Sequence, residues 1–81
     1  MTWHHPAAEH HQNAAQQYEK AACHHREAQR LFLAEERVAA AHHAHLARAH
    51  SLKGDYFANE ACKAHEQFQW ETRLLADPPN P

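Results

Sequence analysis

The chain has 81 residues, with ten acidic and eight basic side chains, eleven histidines, one glycine and a formal net charge of −2. That length excludes more than one domain, and folding at this size buries only about 60% of the surface an unfolded chain exposes. No lysine/arginine cluster points to nucleic acid, and no stretch approaches the roughly 20 apolar residues needed to span a bilayer.

Eighteen alanines thin the available core, because each brings little apolar area to burial. Heavy use of Ala, Glu, Gln and Arg favours helix, while Val38 is the only Val or Ile, which leaves little from which to build a sheet. An all-α fold is therefore expected, as a single helical domain over residues 1–81. No basic segment followed by an apolar core opens the chain, so Cys23 and Cys62 are expected to be reduced thiols of a cytoplasmic protein.

Pro6 suits the first turn of a helix. From there His4, His11, Tyr18, His25 and Phe32 recur every seven residues, beside a parallel line of Ala7, Ala14, Ala21 and Ala28. A 3.5-residue period with an alanine line lets a neighbouring helix approach closely. Cys23 falls on the outward face. No Gly or Pro ends this helix, but one helix running on to Leu52 would be about 70 Å long, so a turn is expected at 33–36.

The second helix carries Val38, Ala41, His42, His45, Leu46, Ala49 and Leu52 on one stripe. Beyond it the apolar line becomes Phe57, Ala61, Ala64, Phe68 and Leu75, about two residues out of phase. Between the two lines lies "LKGDY". Lys53 and Gly54 there resemble a helix end, and Asp55 a cap for a third helix. The expectation is an up-down-up three-helix bundle, a helical hairpin plus a third helix, with helices at about 6–33, 36–53 and 56–76. A Pro-rich tail follows at 77–81. In that bundle residues 6–15 overhang, and the unpaired alanines, Ala15 among them, favour a homo-oligomer.

The segments "EHHQNAAQQYEKAACHHREAQRLF" and "AAAHHAHLARAHS" resemble a group of small Ala/His-rich bacterial helical proteins. That group repeats H-H-x-x-A-A-x-x-x-E-x-A-A-x-H-H-x-x-A, then has a Gly-containing turn, where this chain has "LFLAEER" without Gly, then continues A-A-H-H-A-H-L-A. The resemblance covers roughly residues 9–66 and implies a helical hairpin with no assigned activity. It supports the first turn better than one at Gly54-Asp55. "GDYFANEACKAH" is also similar to the second half of a tetratricopeptide repeat.

Folding three helices at these turns would bring His25, His42, His45 and His65 to one level, with Cys62 one helical turn before His65. Two pairs, His42-x-x-His45 and Cys62-x-x-His65, have the i, i+3 spacing that lets one ion reach both donors. Imidazoles with at most one thiolate suit a Zn, Cu or Ni ion. The bland alternative is that histidine simply fills medium-sized space in an alanine seam. No Glu-x-x-His or C-x-x-C-H occurs, and Ser51 is the only serine, so an enzyme is not expected. Transition-metal binding or buffering therefore stands beside a helical scaffold or interaction module without metal.

Overall fold

The computed structural model describes the backbone of residues 5–76 and the side chains of residues 5–67. It consists of two helices, α1 over Pro6–Leu33 and α2 over Arg37–Ala76, which pack against each other as a hairpin. The expected tail at 77–81 lies outside the described residues.

Each end of α1 has a local cause. His5 holds the extended N-cap conformation (φ −73°, ψ 135°), and its ring Nδ1 accepts the Ala7 N–H at 3.0 Å. Pro6 follows at the first helical position, where a missing N–H costs nothing. At the other end the chain turns without glycine. Glu35 takes a left-handed φ of 64°. The Glu36 N–H then reaches back to the Leu31 carbonyl (2.9 Å), and the Glu35 N–H to that of Phe32 (3.0 Å). This six-to-one and five-to-two pair of bonds is the Schellman arrangement that satisfies the last carbonyls of a helix. The expected turn at 33–36 is present.

The third helix is not. Residues 36–53 and 56–76 belong to one continuous α2 of 40 residues. The reason lies in its phase. Ala40, Ala47, Gly54 and Ala61 are all buried and stand seven residues apart. Three residues after each come His43, His50, Phe57 and Ala64, all half-buried. This heptad pattern runs through Gly54 without a break, so nothing displaces the chain there. The apparent shift arises because the Val38–Leu52 stripe is not the packing face: Val38 is 88% exposed and Leu52 55% exposed.

Gly54 is helical, and no glycine of the chain has positive φ. It is small because Tyr18 lies over it. A Cβ built at Gly54 would stand 2.6 Å from Tyr18 Cε1 and 2.8 Å from Cδ1. Asp55 is likewise no cap: its Oδ1 accepts the Tyr18 hydroxyl at 2.6 Å.

On α1 the complementary lines are Ala7, Ala14 and Ala21, buried, with Ala28 half-buried, and His10, Gln17, His24 and Leu31. The alanine line expected on α1 is therefore the seam. Its partner line is the one three residues on; the line through His11, Tyr18, His25 and Phe32 is exposed. Two strict seven-residue repeats of small residues draw the backbones together and impose left-handed supercoiling. The helices are 28 and 40 residues long, and the turn joins their near ends. The excess therefore lies at the C-terminal end of α2. The expected overhang of residues 6–15 is thus reversed, with Ala7 and Ala14 buried against α2 and Ala15 exposed.

Candidate functional site

The half-buried line of a heptad seam is where leucine usually sits. Here it is occupied by polar rings. His24 lies at the centre of one such layer. Its Nδ1 is 2.9 Å from His43 Nδ1 across the hairpin, and its ring is stacked on that of His50 (centroids 5.5 Å apart, planes 3° apart). His50 Nδ1 is 2.8 Å from Gln17 Oε1, an acceptor only, so the His50 N–H donates and its Nε2 keeps the lone pair. Three imidazoles and an amide from both helices thus form one connected layer, flanked by Ala21 and Ala47.

A second cross-helix pair lies nearer the open end. His11 Nε2 and His65 Nε2 are 2.9 Å apart between exposed rings. Between the two layers sits the Tyr18–Asp55 bond. His10, on the half-buried line, has its Nδ1 buried and without a hydrogen-bond partner among the described residues.

The residues expected to gather round an ion are arranged differently. His25, His42, His45, Cys62 and His65 are all exposed. His42 meets its neighbour His43 edge-on (5.6 Å), and His65 meets His11. Among the described residues no three His, Cys, Asp or Glu side chains converge to hold one ion. With a continuous α2, no third helix folds Cys62 and His65 back to the level of His25. The residues that do meet are His24, His43 and His50, one position away from two of those expected. The signal was the heptad itself, read one line off.

Comparisons with protein-family models, with curated proteins and with solved structures return no match to this chain. The chemistry of the layers is therefore read from their own geometry.

Desolvation in the seam, reinforced by Lys53, His24 and Lys20, pushes the His50 pKa below the ordinary histidine value. Lys53 shares α2 with His50, while Lys20, His24 and the neutral Gln17 face it from α1. The unfolded chain regains a value of about 6.5 and so binds more protons as the pH falls below that point. The contribution is present above the unfolded pKa and lost as pH falls through the folded one. The thermal midpoint should therefore drop between pH 7.5 and 5.5, and His50→Gln should shrink the drop. A flat profile by circular dichroism would show that the layer is fully hydrated.

Proposed function

We propose that the chain is a non-catalytic helical interaction module that works as a homo-oligomer. The observation that carries this is an inverted distribution of side-chain size. Among the described residues the hairpin's own core is six alanines and Leu31, with no large side chain fully buried. Tyr18, Phe32, Leu33, Val38, Leu52 and Tyr56 are meanwhile exposed. An alanine seam buries too little apolar area to offset the backbone entropy of two long helices, so a second surface is needed.

Val38, His45 and Leu52 supply it. They recur at seven-residue spacing on the outward face of α2, with Ala41 and Ala49 between them and Tyr56 one turn on. A second copy carries the same stripe, so the contact is self-complementary about a two-fold axis. No described helix is long and apolar enough to cross a membrane.

Sedimentation of the parent at tens of micromolar should give a dimer or larger species. Leu52→Arg with Tyr56→Arg should shift it toward monomer and lower its melting temperature, whereas Gln16→Arg on α1 should do neither. A parent that is both monomeric and cooperatively folded would overturn the proposal. The transition-metal reading lacks such an observation: where imidazoles of the two helices meet, their facing nitrogens are engaged in a hydrogen bond.

A further inference from the structure

We infer that the outward stripe of α2 pairs antiparallel with that of a second copy, on a two-fold axis through His45, and that protons release it. The inference rests on the homo-oligomer proposed above and adds its register, direction and control. Val38, Ala41, His45, Ala49 and Leu52 are all exposed. Their spacings of three, four, four and three residues read the same in both directions. So do their sizes: large, alanine, histidine, alanine, large. At about 100° per residue, all five lie within about 40° of the His45 direction. With the two His45 residues level, antiparallel pairing sets Val38 against Leu52 of the second copy and Ala41 against Ala49. A parallel pair would set Tyr56 on its own counterpart and leave the turn uncovered. The antiparallel pair instead carries Tyr56 level with residue 34 of the second copy, beside Leu33, which is 75% exposed. It also opposes the dipoles of the two helices.

The charges around the axis supply the control. No acidic residue stands between Glu36 and Asp55. These two lie nine and ten residues from His45, about 13–15 Å along the helix and beyond a Debye length of about 8 Å. By symmetry, the same carboxylates of the second copy are no closer. The ionisable side chains beside His45 on the exposed face are His42 and Arg48, and the second copy brings the same two. On the opposite side of α2, across the seam, α1 carries Glu19, Lys20, Arg26 and Glu27 at this level. Two neutral His45 rings can share a hydrogen bond across the axis. Two cations there repel each other and the Arg48 pair, with no carboxylate to offset them. Histidine changes charge between about pH 8 and 5. The dimer binds fewer protons than the separated chains, so association is present above that range and lost as pH falls through it.

Cross-linking of the full chain tests the register. Cys23→Ser with Cys62→Ser first removes the two exposed thiols. In that background, Val38→Cys with Leu52→Cys should give a disulfide-linked dimer on mild oxidation, and either substitution alone should not. Linkage by Val38→Cys alone would make the helices parallel, and no linkage in a dimeric protein would move the contact to another face. Either result overturns the inference while the homo-oligomer stands, whereas a monomeric parent overturns the homo-oligomer itself. Sedimentation at pH 7.5 and 5.5 tests the control. Association of the parent should weaken by about tenfold or more over that interval. His45→Leu should retain most of its association at the lower pH. His25→Leu, which removes an exposed histidine of α1, should behave as the parent. Equal losses in all three proteins would place the responsive protons elsewhere and overturn the release.

Discussion

Ala47→Leu should cost the hairpin about 2–3 kcal/mol, at the upper end of what overpacked cores lose. Ala47 has no exposed surface, and it stands between His43 and His50 on the face turned to α1. The added carbons have nowhere to go, because the position opposite is held by the equally small Ala21. The helices must separate at that layer, and separation breaks the His24–His43 contact and the His50–Gln17 bond together. For a chain of this size each kcal/mol moves the midpoint by about 4–8 °C, so the melting temperature should fall by roughly 10–20 °C. Ala44→Leu, three residues earlier on the exposed side, adds the same volume and should change stability by no more than about 0.5 kcal/mol. An unchanged or higher midpoint for Ala47→Leu at constant protein concentration would mean that the helices do not approach closely there.

Helical character, the start at Pro6, the turn after Leu33 and the seven-residue alanine line of α1 were legible in the sequence, whereas the burial of Ala7 and Ala14 within the hairpin was not, because a third helix would leave residues 6–15 overhanging. The legible features rest on local causes: ring-locked φ, helix propensity, the length limit on an unsupported helix, and the heptad spacing of alanine. The third helix was misread because two lines on α2 compete. Val38, Leu46 and Leu52 are larger and more apolar than Ala40, Ala47 and Gly54, so apolar size selects the wrong face. In an alanine-type seam the criterion inverts, and the smallest residues mark the contact. The buried line from Ala40 to Ala61 carries no phase break.

The histidines followed from the same error. Placing Val38, His42 and His45 inward on α2 brought His25 and His65 into the same imagined layer. The true layer is read from the line three residues after each small one: His10, Gln17 and His24 on α1, and His43 and His50 on α2. A vicinal pair such as His24-His25 or His42-His43 then divides, one ring facing the seam and its neighbour the solvent. His24 takes a position that leucine would fill in an ordinary coiled coil, while Cys23 and His25 look outward. Hydrogen-bonding rings there limit pairing to registers that bring donors and acceptors opposite each other, a constraint leucines would not impose.

Gly54→Ala should destabilise the parent and stabilise a Tyr18→Ala background. Within a helix, alanine is better than glycine by about 1 kcal/mol, and Gly54 has no left-handed φ that a side chain would strain. That gain is blocked in the parent. The new Cβ would stand 2.6–2.9 Å from Cε1, Cδ1 and Cζ of Tyr18, so the ring has to swing off α2 and release its bond to Asp55. With Tyr18 truncated, those three contacts are gone and the propensity gain is expressed. Melting the four proteins of this cycle at one concentration should give opposite signs for the two Gly54→Ala steps. A turn at Gly54 would instead make alanine unfavourable in both backgrounds, so two negative steps would restore a break in α2. The phenol offers a second readout. Its bond to Asp55 holds the Tyr18 pKa above the ordinary tyrosine value, aided by desolvation and by the carboxylate's charge. Ultraviolet titration of Gly54→Ala should show that ionisation returning toward about 10. An unmoved titration would place Tyr18 away from Gly54 and leave the small residue without a cause.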